Sequence, residues 1–229
     1  NWIGGGSPNT AKFVPPTPTE IYRCLDDFEK FLHSRDEYSP LIKAALAHAQ
    51  FETIHPFLDG NGRTGRLLTT FYLCKLGILE RPVLYLSEYF LNNRKAYYDS
   101  LNFYHQEDAD ISGWLDFFLD GVAIIAAEAI DVSKKINALR QKDAVKIQSL
   151  GRRGKTGIIV LENLYKLPIV NVKNIEEWTG LSRPRSNELV QKFVELKILE
   201  QRDKDIEYRR EFWYKNYLNL FISKEEAKD

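Results

Sequence analysis

The sequence predicts a mainly α-helical protein whose last third changes to a small mixed module. Three observations carry that prediction. Apolar residues recur by threes and fours from Thr19 to Gln148, the spacing of one helix face. A short basic, glycine-rich run, GRRGKTG from Gly151 to Gly157, interrupts the pattern. Beyond it, three more helical segments precede two short runs rich in β-forming residues. The boundary divides the chain into residues 1–150 and 151–229, and 44% apolar content over 229 residues is enough for two cores.

Taken in order, residues 1–16 (NWIGGGSPNTAKFVPP) are rich in turn formers, and Trp2-Ile3 and Phe13-Val14 flank them as the two short strands of a hairpin would. From Thr19, Ile21, Leu25, Phe28 and Leu32 make one apolar helix stripe. Ser39 and Pro40 supply an N-cap and a first-turn proline for a second helix, Leu41 to Ile54. A third begins near Gly62 or Arg63 and stops at Gly77. After a turn at Glu80-Arg81-Pro82, Ser87 caps a helix through Tyr104, and a long amphipathic helix runs from about Ile111 to Gln148. In the last third, helices are expected over Ile158–Tyr165, Val172–Thr179 and Arg183–Leu196, the last with Ser182 as cap and Pro184 in its first turn. Strands Ile198–Gln201 and Tyr208–Tyr214, joined by the polar turn Arg202 to Asp205, complete a winged helix-turn-helix layout.

Composition excludes several functions. Lys plus Arg and Asp plus Glu are equal at 32 each, so no global field draws the chain to nucleic acid or an anionic membrane, and any polyanion site is local. The most apolar stretch, Leu115 to Ala127, carries Asp116, Asp120 and Gly121 and cannot span the roughly 30 Å of a hydrocarbon core. With no secretory segment and two distant cysteines, Cys24 and Cys74, a reducing cytoplasm is the expected compartment. The chain starts at Asn1 and holds no methionine, so it reads as a fragment without its native N-terminus.

The chemistry concentrates in HPFLDGNGRTGR, His55 to Arg66. It contains G-x-G-x-x-G by spelling, but a dinucleotide fingerprint needs a strand before it, and the preceding Leu41 to Ile54 is a helix by pattern. No G-x-x-x-x-G-K-[ST] occurs, which excludes a P-loop. What remains is a helix, a loop and a helix N-terminus. Gly60, Asn61 and Gly62 form an anion nest, because helix N-termini present free N–H groups and a positive dipole end. Arg63 and Arg66, three apart, share a helix face suited to outer phosphates. Asp59 is a lone carboxylate of the kind Mg²⁺ takes when phosphate and water fill its other positions. His55 can accept a hydroxyl proton near neutral pH. Together these describe a nucleotidyl- or phosphoryl-transfer site.

At every fixed position the segment matches H-x-F-x-[DE]-G-N-G-R-x-x-R, and the chain thereby resembles Fic-domain proteins. The likeness extends from the N-terminal hairpin, which looks like the family's flap, through Tyr97-Tyr98 and the long helix to the winged helix, an arrangement similar to the subclass whose inhibitory helix lies N-terminal to the core. It implies transfer of AMP from Mg²⁺–ATP to a Ser, Thr or Tyr hydroxyl of a target protein, with release of pyrophosphate. His55 would be the general base and Asp59 the Mg²⁺ ligand. Asn61, Gly62 and Arg63 would hold the α- and β-phosphates and Arg66 the γ-phosphate, with Gly60, Thr64 and Gly65 also among the nucleotide-binding residues. Tyr97 and Tyr98 would border the adenine, and the flap would hold the target segment by strand-like pairing. Glycine at position 62, where a kinase-like branch carries lysine, favours AMP transfer over phosphate transfer. No [ST]-x-x-x-E-[GN] pattern precedes the flap here, so the resemblance implies a chain deregulated relative to its parent.

Other readings stand beside these. Pro56 and Phe57 are expected to pack structurally, Cys24 and Cys74 to be core residues, and His48 to be a buried, hydrogen-bonded histidine rather than an orienter of His55. Glu52 is either a partner of the site or a solvated charge. The last third offers a second function, DNA binding, with Arg185, Asn187, Gln191 and Lys192 as the exposed face of a recognition helix. Winged helices also bind proteins or dimerise, so a DNA partner, a protein partner and an oligomer all stay open.

Overall fold

The computed structural model describes residues 2–35, 37–80, 86–104, 110–203, 205–206 and 208–221. They are mainly helical. The chain divides into two compact units, Asn1–Glu128 and Ala129–Asp229. The division falls inside a long helix rather than at Gly151, because each half of that helix buries its apolar face in a different core.

The first unit opens with a hairpin closed by a single antiparallel bridge, in which Ile3 N–H donates to Phe13 O at 2.9 Å. Helix α1 (Pro18–His33) starts at a capping box in which Thr17 and Glu20 satisfy each other's exposed N–H groups. Helix α2 (Pro40–Ile54) has Ser39 as its cap. Its alanines 44, 45, 47 and 49 are all buried, so α2 is apolar on most sides and forms the axis of the unit. Helix α3 (Asn61–Lys75) begins one or two residues earlier than its pattern suggests, because Gly60 at φ 86° turns the chain into it. Where one helix was expected from Ser87 to Tyr104, there are two, α4 (Leu86–Asn92) and α5 (Arg94–Tyr104). The break is at Asn93, whose side-chain amide donates to Tyr89 O at 2.9 Å. Most of the expected turn at Glu80-Arg81-Pro82 lies outside the described residues. Helix α6 (Ser112–Gln148) follows, and its Trp114 and Phe118 complete the first core together with Phe28, Phe51, Phe90 and Tyr97.

In the second unit α7 (Gly154–Leu164) starts four residues before the expected Ile158. Gly157 of the basic, glycine-rich run is packed: a Cβ there would lie 2.5 Å from Ile147 Cγ2, so only glycine lets α7 close onto the end of α6. Strand β1 (Ile169–Val170), α8 (Val172–Thr179), α9 (Arg183–Glu195), β2 (Glu200–Gln201), β3 (Phe212–Trp213) and α10 (Lys215–Leu218) complete the unit. The sheet is antiparallel in the order β1-β3-β2, with Ile169 opposite Trp213 and Glu200 opposite Trp213 on its other side. The sequence reading foresaw neither β1 nor α10. The core of this unit is Ile147, Leu161, Leu164, Ile175, Phe193 and Phe212. Fully buried Asp143 accepts from Tyr214 Oη and Lys146 Nζ, both at 2.6 Å, which compensates its charge. Among the described residues, no helix is long and apolar enough to cross a membrane.

Candidate active site

The site is the elbow between α2 and α3. His55 is the C-cap of α2, held in the left-handed region at φ 47° and ψ 56°, with its N–H donating to Phe51 O at 3.0 Å. Non-glycine residues seldom adopt this backbone, so the cap turns the His55 side chain out of the helix at a conformational cost. His55 Nδ1 lies 3.3 Å from the Glu52 carbonyl, which fixes the tautomer with the proton on Nδ1 and makes Nε2 the basic nitrogen. Half-burial lowers the His55 pKa, the bond to Glu52 O opposes that shift, and the ring is therefore neutral at pH 7.

The loop between the helices is folded by Asn61. Only 2% exposed, it accepts from Phe57 N–H at 2.9 Å and donates to Phe57 O at 2.6 Å, a reciprocal clasp that sets the loop's shape. Its side chain is thus engaged with the protein, and what it can offer a phosphate is its backbone N–H. Phe57 is 48% exposed and rests against Phe51 with ring centres 6.4 Å apart, so it covers the core rather than entering it. The first intrahelical bond of α3 is Thr64 N–H to Gly60 O at 3.0 Å. The N–H groups of Asn61, Gly62 and Arg63 therefore have no carbonyl one turn back, which makes this terminus an anion site in kind. Thr64 Oγ1 donates to Gly60 O and reinforces the turn.

Asp59, 94% exposed at its side chain, accepts from Gly60 N–H at 2.7 Å and has Arg63 Nη2 at 3.6 Å. Among the described residues no cluster of three His, Cys, Asp or Glu side chains could hold a metal unaided. A single exposed carboxylate beside an anion nest fits Mg²⁺ brought in by phosphate and otherwise ligated by water. Arg66 lies back over the first turn of its helix, so that a Cβ at Gly62 would be 3.1 Å from its Nη1. Gly65 faces the opposite way. A Cβ there would be 2.6 Å from Glu52 Oε1 and 3.1 Å from Phe51 Cδ1, so Gly65 lets α3 close onto α2 and sits away from the loop.

Behind the elbow, His48 is fully buried between two hydroxyls. Thr69 Oγ1 donates to Gly65 O at 2.8 Å, so it accepts from His48 Nδ1–H at 2.9 Å, and His48 Nε2 accepts from Tyr97 Oη at 3.0 Å. Burial depresses the His48 pKa to about 3, which makes it a neutral structural residue, as expected. Tyr97 is consequently buried behind the motif with its hydroxyl in use, whereas Tyr98 is 46% exposed beside Arg94. The sequence pair Tyr97-Tyr98 thus splits into a packing residue and a surface residue. Phe13 and Val14 of the hairpin border a groove with Glu20, Arg23, Cys24 and Thr53, which adjoins the end of α2.

Two of the four residues on the expected DNA-reading face of α9, Asn187 and Lys192, make bonds within the protein. Asn187 accepts from Arg210 at 2.8 Å, Lys192 pairs with Glu195 at 2.7 Å, and Glu188 pairs with Arg153 at 2.6 Å, while Arg183 and Arg185 are exposed.

A helix N-terminus joined to a neutral histidine, an exposed carboxylate and two arginines is suited in kind to a polyphosphate. Residues 4–73 match the family model "Fic/DOC family". It is 27% identical over 197 residues to a probable protein adenylyltransferase of Aquifex aeolicus (strain VF5), covering 72% of this chain and 60% of that protein. It is 37% identical over 109 residues to a protein adenylyltransferase Fic of Drosophila ananassae, covering 47% of this chain and 20% of that protein. The chain thus spans three-fifths of the first relative's length and a fifth of the second's. A crystal structure of a Fic family protein from Desulfovibrio desulfuricans G20 aligns with 87% of this chain and 56% of its own, at a TM-score of 0.49 and 22% identity.

Proposed function

We propose that the chain transfers AMP from Mg²⁺–ATP to a hydroxyl side chain of a target protein and releases pyrophosphate. The observation that carries this reading is the α2–α3 elbow, where a neutral half-buried histidine flanks a helix N-terminus whose second residue, Gly62, has no side chain. The adenylyltransferase names of the relatives support it.

In this mechanism His55 Nε2 takes the proton of the target hydroxyl as its oxygen attacks the α-phosphorus. The new P–O bond forms as the bond to the bridging oxygen breaks, and pyrophosphate leaves with that electron pair. The N–H groups of Asn61, Gly62 and Arg63 hold the phosphates, and Arg63 and Arg66 oppose the charge that gathers on the leaving group. Asp59 would hold Mg²⁺, which supplies charge neutralisation at the phosphates when bound. The hairpin edge at Ile3 and Phe13, beside the groove at Val14 and Arg23, is suited to an extended target segment. Tyr98 is the tyrosine placed for contact with a base.

Incubation with α-labelled and, separately, γ-labelled ATP tests the reaction. Protein label from the α-position alone is expected, and label from the γ-position alone would make the chain a kinase. Because asparagine tolerates the left-handed backbone at position 55, His55→Asn should remove transfer with little change in melting temperature. Full transfer by that variant would refute the assigned base.

A further inference from the structure

The second unit contains a cavity of about 680 Å³ that has no part in the elbow. It lies where the C-terminal part of α6, the end of α9, β2 and the start of α10 meet, and Val194, Ile198 and Leu199 give it apolar walls. Its cations converge from three segments: Lys142 and Lys146 from successive turns of α6, Lys197 from the turn after α9, and Lys215 from α10. Two of them have local counter-charges. Lys146 Nζ is bonded to buried Asp143 at 2.6 Å, and Lys215 Nζ stands 3.6 Å from Glu200 Oε2. Lys142 and Lys197 have no ion pair among the described residues, so the lining carries positive charge that the unit does not balance.

Lys197 is set there at a conformational cost. Helix α9 ends in a Schellman turn, with Ile198 N–H donating to Phe193 O and Lys197 N–H to Val194 O, both at 2.9 Å. The left-handed residue that closes a helix is Gly77 after α3 and Gly180 after α8, but after α9 it is Lys197 at φ 55°. Helix termination alone would favour glycine at this position. A lysine that merely opposed the helix dipole could sit in the preceding turn without strain.

We propose that this cavity is an anion site, which takes a small molecule carrying a chain of two or three phosphates. Its volume lies within the range of roughly 300–1,000 Å³ usual for small-ligand sites. Lysine ammonium groups act on phosphate as point charges, and four of them around one concave space suit a compact polyanion. An extended acidic peptide is the poorer match, because it presents only every second side chain to a given face. The phosphate chain is common to inorganic polyphosphate and to a nucleoside triphosphate, whose organic body the apolar walls can accept. The site stands apart from the α2–α3 elbow and does not rest on the AMP-transfer reading.

The test is a titration of the ¹⁵N-labelled full chain with inorganic tripolyphosphate and, separately, GTP, followed by amide NMR, which resolves this cavity from the elbow. Amides of residues 199–201 and 215–216 should shift along a saturating curve of their own. The double variant Lys142→Ala, Lys197→Gly should weaken binding at these amides about 10-fold or more and leave the response of residues 60–63 unchanged. Alanine and glycine suit these two backbone positions, so the melting temperature should not fall. Given that loss, tighter binding of GTP assigns the apolar walls to an organic body, and equal or tighter binding of tripolyphosphate assigns the cavity to the free chain. Absent or non-saturating shifts, saturation unaffected by the double variant, or tighter binding of hexaglutamate than of either phosphate would overturn the proposal.

Discussion

Replacement of Asn61 by alanine separates two accounts of the motif asparagine. If its amide served a phosphate directly, the variant would bind nucleotide more weakly and fold as well as the wild type. The structure instead places both functional ends of the side chain on the Phe57 backbone, at 2.9 and 2.6 Å, in a buried position. The two bonds contribute about 1 kcal/mol each net, and a part-buried backbone group deprived of its partner costs about 1–3 kcal/mol more, so Asn61→Ala should lose about 3–5 kcal/mol. Asn61→Asp keeps the acceptor for Phe57 N–H but sets a carboxylate oxygen against Phe57 O, so it should recover only part of that loss. Urea unfolding followed through Trp114, which is fully buried in the same unit, gives the stability. Amide hydrogen exchange from Phe57 to Thr64 reports whether the loop has opened. An Asn61→Ala protein within about 0.5 kcal/mol of wild type, with exchange at Phe57 unchanged, would refute the clasp.

Three further outcomes follow from the same packing. Gly65→Ala should destabilise the protein by about 1–3 kcal/mol, because the Cβ meets Glu52 Oε1 and Phe51, although alanine favours a helix over glycine by about 1 kcal/mol; a thermal melt checks it. His48, depressed to about 3, binds fewer protons folded than unfolded, so stability should fall as pH drops from about 6.5 toward 3, by up to about 1.4 kcal/mol per pH unit. Denaturant titrations at pH 7 and pH 5 check that slope, which His48→Gln should lose. Glu52 has the opposite sign: its raised pKa contributes stability that is full below about 4.5 and lost as pH rises to about 7. Glu52→Gln should therefore gain on the wild type by about 2–3 kcal/mol between pH 4.5 and pH 8, measured by the same titrations.

Elements with a chemical start and stop were legible in the sequence. Ser39-Pro40 and Ser182 ahead of Pro184 announced α2 and α9, and the stepped apolar residues of α6 marked that helix to its end at Gln148. Elements defined by their neighbours were not. Ile169 and Val170 are a strand only because β3 lies beside them, and two residues carry no period of their own. Gly154 and Gly157 lie in the expected boundary, and a local pattern cannot distinguish a glycine that bends the chain from one that admits Ile147. Asn93 looked like a helix interior until its amide turned back on Tyr89. At the site, His55, Asp59 and the two arginines were found from residue type and spacing, whereas the burial of Glu52 and the inward turn of Tyr97 depend on how α2, α3 and α5 pack.

That packing explains why a short loop can carry so many functional groups without collapsing. A half-buried histidine, an exposed carboxylate and two guanidiniums gain little from burial or from one another, so they contribute almost nothing to holding a loop in one shape. The shape comes from the residues interleaved with them. Gly60 supplies the left-handed turn, Asn61 clasps Phe57, Thr64 bonds back to Gly60, and Gly65 lets α3 close on α2. Alternate positions along one segment therefore divide the labour, one set facing inward to build the elbow and the other facing outward with its polar groups available. Glu52 belongs to the inner set, buried with its Oε1 against the face of α3 that Gly65 leaves open.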